Sequence, residues 1–396
     1  MSRLDKAVSG RARTALVLVA GLIVGDAAFR EPALAQAKAP VSDDAGSTPA
    51  DDGQRAPVEP RWFLDPSYIG LVNTSPRPSS AIGTESQQQG HWIEIQSHNY
   101  FSLAPRQNSD QYMRWIHAEA GGKTEVRHTG GLTLSTTIRG HAGQSVPIQT
   151  PSIGFAGRYQ RLMHARSAGK VGSVAPHGVS SIRMFGFGLV HHSNGQDGCT
   201  FADQSRGVDG RCSPDDTVVA NTSKLNTIDG SFGTNYWAAT FGWSRRRFQA
   251  DGRNFGFVHS YTAEGRYHQD RPGGGLKDGL ADVYGRWEAA GSAQVELPHP
   301  RIGFKKPLLR ELGRFDRVQL TSRAWVRGGG TRVYSGASVD AAWLGFAGGV
   351  AGPFVRWYEG DDYYNIRFAE RRSFKFYFGL MFDLARLTRI PAPVQD

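Results

Sequence analysis

The chain has 396 residues, 39% hydrophobic and 11% aromatic, with 46 Lys and Arg against 36 Asp and Glu for a net charge of +10. That is room for one large domain or two ordinary ones, and too much apolar and aromatic content for a disordered chain. Two cysteines exclude a disulfide-dense scaffold and a four-cysteine zinc site, and the longest apolar stretch, 14–25, is shorter than a membrane-spanning helix needs.

The amino terminus reads as an export signal. Arg3, Lys6, Arg11 and Arg13 precede the apolar run 14–25, and Ala33-Leu34-Ala35 and Ala35-Gln36-Ala37 offer small residues at cleavage spacing. Removal of residues 1–37 takes away five basic and three acidic residues and leaves +8. The basic residues are scattered, apart from Arg245-Arg246-Arg247, so nucleic acid is not the expected partner. Anionic lipid headgroups and lipopolysaccharide phosphates are the expected counter-charges. Outside the cytoplasm, Cys199 and Cys212 are expected to pair as a local loop staple.

Residues 38–60, with Pro40, Pro49, Pro57 and Pro60, read as a linker, and 61–91 show no sustained period. We set residues 38–91 apart as a linker and extension, 92–388 as the folded domain and 389–396 as a tail. From Trp92 the pattern is one of short alternating runs broken by turn residues, without amphipathic helices. In Arg183–Ser193, Phe185, Phe187 and Leu189 fall on one face and Gly186 and Gly188 on the other. In Asn235–Trp243, Trp237, Ala239, Phe241 and Trp243 oppose Tyr236, Thr240 and Gly242. Val318, Leu320, Ala324 and Val326 oppose Gln319, Thr321, Arg323 and Arg327. The run 373–384 is clearest: Phe374, Phe376, Phe378, Leu380, Phe382 and Leu384 share a face opposite Lys375, Tyr377, Gly379 and Asp383.

A soluble β-sandwich also alternates. Runs of about ten residues, charges in mid-strand on the polar face and aromatics at the ends of the apolar face suit a membrane strand around a wet lumen better. Only helices and closed barrels pair every backbone group in lipid. The expected fold is all-β: a transmembrane antiparallel barrel of twelve strands in the bacterial outer membrane, with 194–230 and 268–279 as outer loops.

Alternation puts His191 and Ser193 on the lipid side with Phe185–Leu189, and His192 in the lumen. Two residues apart, imidazole and hydroxyl are neighbours, so neutral His191 can take the Ser193 proton during attack on an ester. A third group must orient the imidazole. Asn235 begins the next run on the same face, and its amide oxygen does so without placing a full charge beside lipid. Asn194-Gly195 also reads as an ordinary turn signal.

These residues resemble the outer membrane phospholipase A family, which carries H-x-S-N-G at a strand end with an Asn as third member. Asn99-Tyr100-Phe101 is similar to that family's first-strand segment. Trp357-Tyr358-Glu359-Gly360, Tyr364-Asn365 and Met381-Phe382-Asp383 resemble its last hairpin. The resemblance implies a phospholipase of A1/A2 and lysophospholipase type acting on membrane phospholipids, with Ser193, His191 and Asn235 as the triad and the Gly195 amide at the oxyanion. It also implies Ca2+ bound by the Gln196 carbonyl and the Ser231 hydroxyl, to which Asp197 is the best added ligand, and a homodimer when active. The long loop between Ser193 and Asn235, and the continuation past Phe382 to Asp396, depart from the family pattern. Two other readings keep the barrel: a lipid A deacylase, which uses Glu as third member, and a non-catalytic channel.

Overall fold

The computed structural model describes residues 67–76, 91–102, 125–141, 148–167, 179–194, 198–201, 207–208, 212, 226, 230–248, 255–269, 281, 284–298, 317–330, 333–344, 351–361 and 372–382. The expected signal segment 1–37, the linker 38–60 and the tail 389–396 lie outside these. The described residues form twelve strands: β1 Ser67–Pro76, β2 His91–Ser102, β3 Glu125–His141, β4 Ile148–Ser167, β5 Val179–Ser193, β6 Gly233–Phe248, β7 Phe255–His268, β8 Trp287–Pro298, β9 Arg317–Gly328, β10 Tyr334–Leu344, β11 Ala351–Asp361 and β12 Arg372–Phe382. Each is antiparallel to its neighbours, and β12 pairs with β1, so the sheet closes and has no edge.

Two expectations need correction. The barrel begins at β1, inside the segment set apart as linker and extension, and Asn99-Tyr100-Phe101 lies on β2 rather than on the first strand. The cause is the lumen. Tyr68 and Val72 of β1 point inward and pack with Phe354, Tyr377 and Met381, so both faces of β1 carry apolar residues and its alternation is blurred. Strands β3 to β7 also run to 14–20 residues, longer than the ten or so expected, whereas β8 to β12 have 11 or 12.

The wall is inside-out compared with a soluble protein. Phe185, Phe187, Leu189, Trp237, Phe241, Phe376, Phe378 and Leu380 are all exposed on the outer face. An apolar surface of that extent marks contact with an apolar medium, and here it forms the outer band of a membrane barrel. No described helix is long and apolar enough to cross a membrane; the strands make the crossing.

Inside, charges meet partners. Arg139 Nε bonds Glu94 at 2.5 Å, and Tyr68 donates to the same carboxylate. Arg356 grips Asp340 at 2.7 and 2.9 Å and lies over the Tyr68 ring. Arg158 on β4 reaches Glu264 on β7 at 3.3 Å, a bond across the lumen between strands that are not neighbours. Glu264 also accepts from Thr240 and Arg266.

Phe187 sits midway in the apolar band between Arg183 and His191. Phe187→Arg is expected to destabilise the barrel by about 2–4 kcal/mol, the depth-dependent cost of a lipid-facing Arg. Phe187→Leu is expected to cost far less. Reversible denaturant unfolding in lipid vesicles measures both.

Candidate active site

The register brings the three expected residues together. His191 is paired directly with Asn235 across β5 and β6, and Ser193 with Gly233. All four positions lie on the outer face, continuing the rows Phe185–Phe187–Leu189 and Trp237–Ala239–Phe241. His191 is exposed, while Ser193 and Asn235 are half-buried. Nδ1–H of His191 donates to Oδ1 of Asn235 at 2.8 Å. With Nδ1 occupied as donor, Nε2 is the free acceptor of the neutral ring. Ser193 stands two residues along the same strand and face, about 6.6 Å away at the usual rise.

Gly233 contributes by what it lacks. A Cβ there would sit 3.9 Å from both His191 Cε1 and Ser193 Cβ, in ordinary contact, so it is side chains that extend beyond Cβ that would enter the space between hydroxyl and ring. The sequence reading did not single out this glycine. Its only signal is its place, two before Asn235.

Asn194 is more than a turn signal. It is fully buried; its side-chain amide donates to the Gly230 carbonyl at 2.7 Å, and its Oδ1 accepts from Phe232 N–H at 2.9 Å. The Asn194 N–H also donates to the Phe232 carbonyl at 3.0 Å. The side chain thus staples the end of β5 to the approach of β6 and holds Ser193 level with Gly233. Beyond it, Gly198 bridges Gly230, Ser231 N–H donates to Gly198 O at 2.8 Å, and Thr200 Oγ1 donates to Ser231 O at 2.9 Å. Asn226 Nδ2 donates to Cys199 O, and Cys199 is joined to Cys212 by the expected disulfide.

The inner face of the same strands meets a run of side chains in contact. His192 Nε2 is 2.6 Å from Ser152 Oγ, and its ring meets Phe232 edge-on at 5.6 Å. Phe232 packs on Tyr284 at 5.3 Å, Tyr284 on His268 at 5.2 Å, and Arg327 lies over the Tyr284 ring at 3.8 Å. Glu288 accepts from both Arg327 and Arg266. Burial pushes the Tyr284 hydroxyl up to about 12, so it stays a neutral phenol. A wall backed in this way is stiff, which a site that must hold hydrogen-bond geometry requires.

Of the oxygen donors expected for calcium, Ser231 lies beside the site, half-buried and in the outward phase with Gly233 and Asn235. Gln196 and Asp197, and the oxyanion candidate Gly195, lie outside the described residues. Calcium takes six to eight oxygens, of which the Ser231 hydroxyl would be one. The described residues contain no group of three or more His, Cys, Asp or Glu that could hold a metal.

A lipid-facing polar constellation on a closed barrel defines the class: a membrane barrel with a candidate hydrolytic site on its outer wall. No protein-family model and no curated protein matches the chain. Among solved structures, it is similar to the calcium-bound dimer of the Salmonella typhi outer membrane phospholipase, with 11% identity, coverage of 80% of this chain and 90% of that one, and a TM-score of 0.38. It is also similar to outer membrane phospholipase A of Escherichia coli, with 11% identity, coverage of 83% and 95%, and a TM-score of 0.39. Likeness at this level assigns no chemistry, which rests on the side chains.

Asn194→Ala would leave a buried carbonyl and a buried N–H without their side-chain partner, at about 1–3 kcal/mol each. The variant is expected to lose stability by roughly 2–6 kcal/mol and to exchange the Phe232 amide hydrogen faster. Denaturant unfolding and hydrogen exchange read the two effects.

Proposed function

We propose that the chain is an exported bacterial outer-membrane phospholipase, freed of residues 1–37, that hydrolyses acyl esters of glycerophospholipids with Ser193, His191 and Asn235. The observation that carries this reading is the 2.8 Å bond from His191 to Asn235, on the same outward face as Ser193 and at the boundary of the apolar band. A phospholipid in the bilayer has its ester groups at that boundary, beside the acyl chains that cover Phe185 to Leu189.

Ser193 Oγ attacks the ester carbonyl carbon as His191 Nε2 takes the hydroxyl proton. The charge that develops on the ring is stabilised by the Nδ1–H bond to Asn235, which also fixes the tautomer. The tetrahedral intermediate collapses, the carbon–oxygen bond to the glycerol breaks, and His191 returns the proton to the leaving alkoxide. Water then repeats the sequence against the acyl-serine and releases the fatty acid. In this reading the Gly195 amide donates to the oxyanion. The Ser231 hydroxyl, the Gln196 carbonyl and Asp197 would hold a calcium ion, which would supply positive charge against the negative oxyanion. The active form is a homodimer in this reading.

A neutral third member separates this reading from a lipid A deacylase. The packed interior behind β5 and β6, with the Arg158–Glu264 bond across the lumen, weighs against an open channel.

Protein in detergent micelles is expected to release fatty acid from phosphatidylcholine with calcium and not with EDTA. Ser193→Ala is expected to reduce the rate by roughly 10^4-fold or more, as loss of a nucleophile does. Asn235→Ala removes one orienting hydrogen bond and is expected to cost on the order of 10- to 100-fold. Equal activity of Ser193→Ala would sink the assignment. Deacylation of lipid A in preference to phospholipid would replace the substrate, and single-channel conductance without esterase activity would replace the class.

A further inference from the structure

Three arginines of the described strands are exposed on one side of the barrel: Arg161 on β4, Arg183 on β5 and Arg245 on β6. All point outward, on β5 and β6, which carry the candidate active site, and on the adjoining β4, and at the other margin of the apolar band. Arg183 lies eight residues below His191 on β5, and Arg245 ten residues beyond Asn235 on β6. At about 3.3 Å per residue and a tilt near 40°, that is roughly 20–25 Å of depth, the height of a barrel's apolar band.

The three are level. Arg161 is paired with Phe185, two residues above Arg183, and Arg245 with Ser181, two below it. In a tilted barrel a line of constant depth itself drops by more than one residue per strand in this direction, as the slip of the register around the closed sheet requires. The three positions therefore fall within about 4 Å of one depth. His128, paired with Arg161, prolongs the row onto β3, and its Nδ1 bonds the Tyr159 hydroxyl at 2.5 Å. Just above the row, Trp243 stacks on Tyr261 with ring centroids 5.5 Å apart and is anchored by its Nε1–H to Ser181 Oγ at 2.9 Å. At the corresponding depth on β8 and β9 the outer face carries Leu297 and Val318.

Three cations at one level, with a rigid aromatic wall above them, match the phosphate and the chains of a lipid. We propose that this row is a binding site for the headgroup of an anionic glycerophospholipid in the leaflet away from the active site. The longest loop, 194–232, leaves the barrel at the active-site end, which makes that end the outer one. The row then meets the inner leaflet, so the occupant is a phospholipid rather than lipopolysaccharide. The inference stands on the barrel and the arginines and does not need the phospholipase reading.

The test uses full-length Ser193→Ala protein, so that no lipid is consumed, in phosphatidylcholine vesicles with trace spin-labelled lipid. Labelled phosphatidylglycerol is expected to associate with the barrel at least about fivefold more strongly than labelled phosphatidylcholine, and high salt is expected to erase the difference. Replacing Arg161, Arg183 and Arg245 together by Gln is expected to bring the ratio to one. Replacing them by Lys is expected to keep most of it, and single Gln variants to give intermediate values if the triple variant does not fold. Heat-modifiable gel migration checks the barrel in each case. A ratio of one in the parent protein, or no loss in the Gln variants, overturns the proposal. Displacement of the label by lipid A in preference to unlabelled phosphatidylglycerol overturns the choice of occupant.

Discussion

The rest of the structure depends on the pairing of β1 with β12, which runs from Ser67 opposite Phe382 to Pro76 opposite Ser373. In lipid no water is present to satisfy a bare strand edge, and each unpaired group costs several kcal/mol. Closure removes both edges at once. Closure also makes the register a property of the whole ring. A slip of one residue in any strand would turn its Phe or Leu row into the lumen and its charges into lipid. The opposition of His191 to Asn235 is thus held by twelve strands rather than by local contacts alone.

The interior explains why the wall can carry a polar site at all. Glu94 with Arg139, Asp340 with Arg356, and Glu288 with Arg266 and Arg327 put the charges of the lumen in pairs. Such pairs are weak sources of net stability, because desolvation offsets most of their attraction, but each is costly to break singly. They fill a lumen that must be polar, since the strands have spent their apolar residues on the outer face. Behind the site the filling turns aromatic: Phe232, Tyr284, His268 and Tyr236 pack in sequence. The outward hydrogen bond of His191 therefore rests on a wall that does not give.

Much of this was legible in the sequence where the lumen is polar. On β12, Lys375 and Gly379 face inward against Phe374, Phe376 and Phe378, so the period of two is plain, and β5 and β6 read as clearly. On β1, Tyr68 and Val72 enter an apolar patch of the lumen, so both faces are apolar and no period of two stands out. The shared face of His191, Ser193 and Asn235 follows from counting along two strands. The role of Asn194 does not, because an Asn before a Gly signals a turn whether or not its side chain is buried. Nor could the ion pairs be read: Glu94 and Arg139 are 45 residues apart, and Arg158 and Glu264 are 106 apart. Which charge meets which is decided by registers and by closure, not by spacing along the chain.

The neutrality of the third group follows from where the site stands. At the margin of the apolar band, an acidic partner for the imidazole would remain charged beside lipid through the resting state, which is costly without a second counter-charge. Asn235 gives the orienting bond with dipoles alone. Its weaker field does less for a developing imidazolium than a carboxylate would, so more of the transition-state stabilisation must come from the oxyanion side. In the proposed mechanism Ser231 would serve that side from the approach to β6, where Asn194, Gly198 and Thr200 pin the backbone of residues 230–232 in place. Under the proposed mechanism, the Cys199–Cys212 disulfide and the buried Asn194 staple share a physical purpose: they stiffen the half of the site on which a neutral triad would lean.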